Sequence, residues 1–238
     1  MAGHSKWATI HRKKGLLDAK RGKIFQKLAK EIYVAAKGTN GDTTTNANLR
    51  AVVEKAKGAN MPKDNILSAI EKATKSGSSD SYDTVRYEGY GPGGVAIMVD
   101  CLTDNRNRTA GFVRTAFTHN GGNLGTDGSV AYLFERKGVI GVEKTISEDD
   151  LMLAALDAGA EDIIVNDDSF IIYTKPEVFF KVKEVVESLG ISEFLVSEIT
   201  YVAANDIEAD DETKEKVLKL VDALEDIDDV GDVYYNLK

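Results

Sequence analysis

The first third of the chain has the hydrophobic spacing of short amphipathic helices. In residues 23–37, apolar side chains recur every three or four positions, and Gly38 follows where a helix end favours glycine. The same spacing recurs in residues 47–57 and in a segment opened by Pro62, a residue suited to the first helical turn. Three such helices can bury a shared core, so the pattern predicts an N-terminal helical domain.

Beyond the polar segment 76–81, the pattern changes to one typical of strands joined by turns. It predicts a strand, a second strand, a helix and a third strand over residues 84–91, 94–102, 106–121 and 129–135. The glycines of residues 89–94 predict a tight turn between the first two strands. A second glycine-rich stretch, residues 121–125, predicts another turn before the third strand.

Residues 136–203 contain a complete unit of their own. Its predicted elements follow the β-α-β-β-α-β order of ferredoxin-like domains. The tail adds one helix and one strand, which are the elements that the preceding section lacks. We therefore predict an α+β protein with an N-terminal three-helix domain followed by two α/β domains, the ferredoxin-like third inserted into the second. The predicted domains are residues 1–78, residues 79–135 plus 204–238, and residues 136–203.

Composition narrows the class of protein. Hydrophobic residues make up 42% and charged residues 29% of the chain, as in soluble globular proteins. The sequence shows no apolar run near the ~20 residues that cross a bilayer and no secretory signal pattern. We therefore expect a cytoplasmic protein with no membrane partner. The single cysteine, Cys101, excludes an intramolecular disulfide and a cysteine-based zinc site, and its apolar neighbours predict burial.

Charge is distributed unevenly along the chain. The whole sequence has a formal net charge of −9, yet residues 1–75 contain sixteen Lys or Arg and six Asp or Glu, a net of +10. Residues 76–238 then hold fourteen bases and 33 acids, a net of −19. This asymmetry predicts a polyanion-facing module attached to a body that repels polyanions.

Residue types that carry catalysis are scarce. The three histidines are His4, His11 and His119, and they do not form the H-E-x-x-H spacing of a metal site. A serine nucleophile would need His119, but the sequence has no G-x-S-x-G motif. The glycines of residues 89–94 lack the Lys-Ser/Thr ending of a P-loop. We expect a non-enzymatic protein with no metal, cofactor or small-molecule substrate, and a hydrolase based on His119 is a distant alternative.

Residues 103–109 admit two interpretations. They lie where a predicted strand passes into a predicted helix, so Arg106 and Arg108 could stand beside the free N–H groups of a helix start, which suits a phosphate oxygen. Alternatively, Asp104 or Asn105 caps the helix, and the two arginines are solvated or paired with acids.

The basic N-terminal arm has a clear physical rationale. Lys and Arg neutralise phosphates and release counterions, which gives salt-dependent and largely sequence-independent affinity. Trp7 offers a flat ring for an unpaired base or an arginine. The pattern shows no helix-turn-helix signature, so it does not support sequence-specific DNA recognition. The candidate nucleic-acid-binding residues are His4, Ser5, Lys6, Trp7, His11, Arg12, Lys13, Lys14, Lys20, Arg21, Lys23, Lys27, Arg106 and Arg108.

Several sequence blocks resemble the YebC/PmpR family. They are MAGHSKW at residues 1–7, RGK with Phe25, NMPKDNI at 60–66, YEGYGP at 87–92, TDNRNRT at 103–109 and GSVA at 128–131. The resemblance covers essentially the whole chain, and the family includes the mitochondrial translational activator of cytochrome oxidase subunit I. It implies an N-terminal helical domain and two α/β domains, one inserted in the other. In one loop, Thr43 and Asn48 stand where the family usually has Pro and Arg, which argues against a contact through that loop.

The family resemblance leaves two functions open. Members are generally labelled DNA-binding transcriptional regulators, whereas a more recent view makes them ribosome-associated factors that relieve stalling at proline-rich stretches. We expect a cytoplasmic, nucleic-acid-binding regulator of gene expression, with DNA or with ribosomal or transfer RNA as its partner. A body with a net charge of −19 is repelled by an open duplex, whereas a ribosomal crevice could admit a narrow basic arm. The sequence leaves the oligomeric state open.

Overall fold

A computed structural model describes residues 21–75 and 81–238. Its helices are α1 over residues 21–36, α2 (Ala47–Gly58), α3 (Lys63–Thr74), α4 (Arg106–His119), α5 (Glu148–Ala158), α6 (Phe179–Ser188) and α7 (Asp211–Glu225). Its strands are β1 (Asp83–Tyr90), β2 (Ala96–Thr103), β3 (Asn123–Leu124), β4 (Phe134–Glu143), β5 (Ala160–Val165), β6 (Ser169–Thr174), β7 (Val196–Ala203) and β8 (Val230–Tyr235).

The three N-terminal helices share one core. Ile32 of α1 and Leu49 and Ala56 of α2 are fully buried, and α3 adds Ile66 to the same cluster. Asn46 fixes the start of α2, since its Oδ1 accepts a hydrogen bond from the Leu49 N–H at 3.0 Å. The predicted helical domain is therefore present, with its apolar faces turned inward and its polar faces outward.

The first sheet is antiparallel and has the order β3-β1-β2-β8. Helices α4 and α7 pack on one face through a core that includes Val99, Phe117 and Leu220. The predicted turn between β1 and β2 is confirmed at Pro92–Gly94, where Gly93 departs from helical geometry. Gly93 and Gly94 have φ values of 69° and 76°, a region in which glycine carries little steric cost.

The second sheet has the order β5-β6-β4-β7 and is also antiparallel. This is the ferredoxin-like arrangement, because the first strand of the unit pairs with its third and fourth strands. Helices α5 and α6 bury Leu151 and Phe179 against Ile140, Phe170 and Ile172 of the sheet.

The order of strands confirms the predicted fold class. β8 follows the whole second sheet along the chain, yet it pairs with β2 of the first sheet, with Val233 opposite Val99. The ferredoxin-like third domain is therefore inserted into the second. The boundaries at residues 78, 135 and 203 stay predictions.

The predicted separate strand over residues 129–135 is wrong. Ala131–Leu133 form a 3-10 turn, and β4 begins at Phe134 and runs without interruption to Glu143. The buried carboxylate of Glu88 accepts hydrogen bonds from the backbone N–H groups of Val130 and Ala131, both at 2.7 Å, which takes these groups away from strand pairing. The additional strand of the first sheet is the two-residue β3.

Candidate nucleic-acid interface

The described part of α1 begins with a basic segment. Residues 21–30 contain four bases and no acid. Leu28 faces the core of the helical domain, and the helical spacing places Lys23, Lys27 and Lys30 on another side. These lysines contact the opposite end of the chain rather than the two other N-terminal helices.

The lysines of α1 meet the turn that follows α7, which we call the acidic turn (residues 225–229). The Lys27 Nζ donates to the carbonyl oxygen of Glu225 at 2.5 Å, and the Lys30 Nζ donates to that of Asp228 at 3.3 Å. Lys23 reaches the carbonyl of Asp226 at 3.4 Å. Carbonyl groups at the C-terminal end of a helix carry partial negative charge, so cations are stabilised there.

Lys27 is a lysine of this group whose pKa is changed by burial. The pKa of Lys27 is lowered by burial, and the negative charges of Glu225, Asp232 and Asp228 offset this only in part. Lys27 therefore serves partly as a packing element between α1 and α7. Lys23 keeps about half of its side chain, 52%, exposed to solvent.

Asp229 joins the basic segment of α1 to the start of α4. One carboxylate oxygen, Oδ1, lies 3.6 Å from the Lys30 Nζ. The other, Oδ2, accepts from the Arg108 Nη2 at 2.7 Å and from the Thr109 hydroxyl at 2.9 Å. Burial would raise the pKa of Asp229, but the hydrogen bonds from Arg108 and Thr109 and the charges of Arg108 and Lys30 hold it below the usual value.

The start of α4 follows the second interpretation of residues 103–109. Asn105 caps the helix, since its Oδ1 accepts from the Arg108 N–H at 3.0 Å. Arg108 is paired with acids, because its Nη2 also lies 2.7 Å from Asp104 Oδ1. The side chain of Arg106 is 63% exposed and lies 3.7 Å from one oxygen of Asp83.

The structure thus brings together candidate nucleic-acid-binding residues that lie far apart in the sequence. Lys23, Lys27 and Arg108 all contact the acidic turn, and Arg106 lies with Arg108 in the capped first turn of α4. Arg21 lies at the start of the described part of α1. The other nine candidates fall outside the described residues: His4, Ser5, Lys6, Trp7, His11, Arg12, Lys13, Lys14 and Lys20.

Two residues that take part in these contacts, Lys30 and Asp229, were not among the candidates from the sequence. Lys30 could have been found from its spacing, because it follows Lys27 by three positions on the same helix. Asp229 had no local signal, since it lies 121 residues from Arg108 along the chain. We call the described group formed by the α1 lysines, the acidic turn and the start of α4 the basic seam.

Ion pairs fix the helical domain against both sheets. The Lys55 Nζ of α2 lies 2.8 Å from Glu31 of α1 and 2.5 Å from Asp232 of β8. Burial lowers the pKa of an ammonium group, but the carboxylates of Asp232 and Glu31 outweigh it and raise the pKa of Lys55. Lys183 of α6 lies 2.9 Å from Glu54 of α2. These contacts hold α2 against α1, β8 and α6.

The described residues offer little for catalysis. Residues 21–75 and 81–238 contain no group of three or more His, Cys, Asp or Glu that could hold a metal ion. Burial, with the charges of Asp100 and Asp229, raises the pKa of Cys101 to about 12, so its thiol stays protonated at neutral pH. His119 ends α4 and is exposed, as expected for a helix-end residue. No described helix has the length and apolar character needed to cross a membrane.

Fold and charge together define a three-domain α+β protein whose positive charge is concentrated in its helical domain. A family model described as "TACO1/YebC protein N-terminal domain" matches residues 5–76, and one described as "TACO1/YebC second and third domain" matches residues 82–237. This chain belongs to the TACO1/YebC family, so the resemblance found in the sequence is confirmed.

Relatives match over nearly their whole length. A "probable transcriptional regulatory protein" of Geobacillus kaustophilus is 55% identical over 100% of this chain and 97% of the relative. The "probable transcriptional regulatory protein YrbC" of Bacillus subtilis is 53% identical over 100% of both chains. A solved structure, the conserved hypothetical protein Aq1575 from Aquifex aeolicus, is 46% identical and has a TM-score of 0.80 over 93% of this chain and 92% of that one.

Proposed function

We propose that this protein is a non-enzymatic, nucleic-acid-binding regulator of gene expression that acts on DNA in the cytoplasm. The observation that carries the proposal is the basic seam, where two basic segments from distant parts of the chain meet at one acidic turn. Residues 76–238 carry a net charge of −19, whereas the seam combines five bases, three from α1 and two from α4, with the four acids of the acidic turn. The names of the bacterial relatives as probable transcriptional regulators support the same class.

The contacts within the seam suggest how a polyanion would bind. Backbone carbonyls and the Asp229 carboxylate hold the α1 lysines and Arg108 in the unbound protein. A phosphodiester presents oxygens of similar charge, so it can take the place of the exposed contacts. Lys23 and Arg106 are the most available groups, because their side chains are 52% and 63% exposed.

A second candidate function is a ribosome-associated translation factor that contacts ribosomal or transfer RNA and relieves stalling at proline-rich stretches. The net charge of −19 on residues 76–238 favours the translation factor. An acidic surface is repelled along an open duplex, and the repulsion is smaller where only a narrow basic segment enters a ribosomal crevice. Both functions use the same basic seam and differ in the nucleic acid that it contacts.

Sedimentation of cell extract through sucrose at low and high salt separates the two functions. The test compares the wild type with the double variant Lys23→Gln/Lys27→Gln. Salt-sensitive cofractionation with ribosomes that the variant loses supports the translation factor. Absence from ribosomes, together with protection of one DNA sequence over competitor DNA, supports the transcriptional regulator. Failure of the wild-type protein to bind either nucleic acid overturns both.

A matched control separates the site from total charge. Lys216→Gln/Lys219→Gln removes the same two charges from α7, where each lysine forms an exposed pair with an acid four residues earlier. We expect this variant to bind nucleic acid like the wild type. An equal loss of binding in both variants would show that net charge, and not the basic seam, controls the affinity.

A further inference from the structure

The outward side of α4 differs from the rest of the acidic body. The helix contains three arginines, Arg106, Arg108 and Arg114, and no Asp or Glu. Its outward side also exposes an aromatic ring, since Phe112 is 53% exposed. We call Gly111, Phe112, Arg114, Thr115 and Thr118 the α4 outer face, and all five residues are exposed.

Gly111 has no packing reason within the described structure. Glycine in the middle of a helix is unfavourable relative to alanine. A Cβ atom placed at Gly111 would meet no heavy atom within 4 Å apart from its sequence neighbours and the backbone of its own helix, so packing does not require glycine at this position. Gly89 shows the opposite case, because a Cβ there would lie 2.6 Å from the Asn123 carbonyl oxygen. A bare helix surface at Gly111 therefore suits the close approach of a backbone that does not belong to this chain.

The neighbours of Gly111 have the chemistry of a nucleic-acid contact. On a helix, residues three and four positions apart are neighbours, which places Arg114 and Thr115 beside Gly111, and Phe112 beside Arg108. Among residues 21–75 and 81–238, no carboxylate forms an ion pair with Arg114. The face thus combines a cation, hydroxyl groups, a bare backbone and an exposed ring.

We propose that the α4 outer face binds a single strand of nucleic acid. The sugar–phosphate backbone crosses the helix at Gly111 beside Arg114, and an unpaired base stacks on Phe112. A single strand is favoured over a duplex because Phe112 can stack only on a base whose flat side is free. This inference rests on the proposed function and extends it, since Arg108 links this face through Asp229 to Lys30 of α1.

The test measures binding of short labelled oligonucleotides to the full chain by fluorescence anisotropy. The probes are 12-nucleotide single strands of RNA and of DNA and a blunt RNA duplex. For Phe112→Ala we expect single-strand affinity to fall about 5- to 150-fold, the range for loss of one stacked base. Phe112→Tyr keeps the ring and should bind like the wild type.

Gly111→Ala separates binding from folding. Because the new methyl group meets open space and alanine favours helix, the variant should melt about 2–4 °C higher than the wild type. We expect its single-strand affinity to fall nonetheless by about fivefold or more, since the methyl group displaces the strand. Lys181→Gln, an exposed charge removal on α6, is the control and should change neither quantity.

Each result decides the proposal. Normal single-strand binding by both Phe112→Ala and Gly111→Ala overturns it. If Lys23→Gln/Lys27→Gln then still weakens binding, the proposed function stands without this face. An equal loss on the blunt duplex and the single strands overturns the single-strand claim. If the wild type binds none of these probes, this inference fails, whereas the proposed function is decided by the sedimentation and DNA-protection test.

Discussion

At the scale of single residues, Asp229 decides how the basic seam is held. Its side chain is only 8% exposed, yet it satisfies Lys30, Arg108 and Thr109 at once. A buried carboxylate of this kind is stabilising only while its cations and donors are present. The same residue also engages two cations, Lys30 and Arg108, that are candidates for contact with phosphate. Asp229 therefore couples stability to binding.

Replacing Asp229 with Asn should separate these two effects. The amide keeps the shape but loses the charge, so we expect the free energy of unfolding to fall by about 1–3 kcal/mol. Affinity for nucleic acid should rise, because Arg108 and Lys30 each lose the negative charge of one partner. Urea unfolding and anisotropy measure the two quantities. A variant that is less stable but binds no more tightly would show that Arg108 takes no part in binding.

The stabilising effect of Asp229 should also depend on pH. The folded pKa of Asp229 lies below its usual value of 3.8, so the contribution is complete above that value and is lost as the pH falls through the folded pKa. The stability difference between the wild type and Asp229→Asn should therefore be constant near neutral pH and shrink below pH 3.8. Urea unfolding from pH 7 to pH 3 measures it, and a difference that shrinks already near pH 6 would contradict the assignment.

At the scale of elements, local pattern predicted most helices and strands but not every contact. Helical spacing and glycine turns predicted α2, α3, α4 and the β1–β2 turn, because each depends on neighbours in sequence. The segment 129–135, a short run of apolar residues, was predicted to be a strand, but Glu88, about 40 positions earlier, binds its backbone N–H groups. A tertiary hydrogen bond overrode the local pattern there.

Glu88→Gln tests that explanation. The carboxylate accepts from Gly128, Val130 and Ala131, whereas an amide presents one oxygen and directs an NH₂ group at some of these donors. We expect a loss of about 1–3 kcal/mol in the free energy of unfolding. Hydrogen exchange at the three amides should accelerate, with little change in the strands of the second sheet. Unchanged exchange at these amides would mean that Glu88 does not hold the loop.

The helical domain docks against the first sheet through the ion pairs of Lys55. Lys55 neutralises two carboxylates, Glu31 and Asp232, whose side chains are 16% and 20% exposed. Lys55→Met should cost about 2–4 kcal/mol, because both acids remain without their cation. Adding Glu31→Gln and Asp232→Asn should recover part of that loss. Thermal melting of the wild type, the single variant and the triple variant measures this, and no recovery in the triple variant would show that packing of the Lys55 chain matters more than its charge.

At the scale of the whole molecule, charge asymmetry and domain insertion were predictable from the sequence. Charge counts along the chain identified residues 1–75 as a basic module, and the leftover helix and strand of the tail predicted that β8 returns to the first sheet. The basic seam was not predictable as a site. Its parts come from α1, α4 and the acidic turn, and only the folded chain brings Lys30, Arg108 and Asp229 together.

The salt dependence of nucleic-acid binding tests the central claim most directly. If Lys23 and Lys27 each neutralise one phosphate, Lys23→Gln/Lys27→Gln should reduce the slope of log affinity against log salt by about 1.4 for single strands or about 1.8 for a DNA duplex. Lys216→Gln/Lys219→Gln should leave the slope unchanged. The same slope in the wild type and in the α1 variant would contradict a nucleic-acid interface at the basic seam.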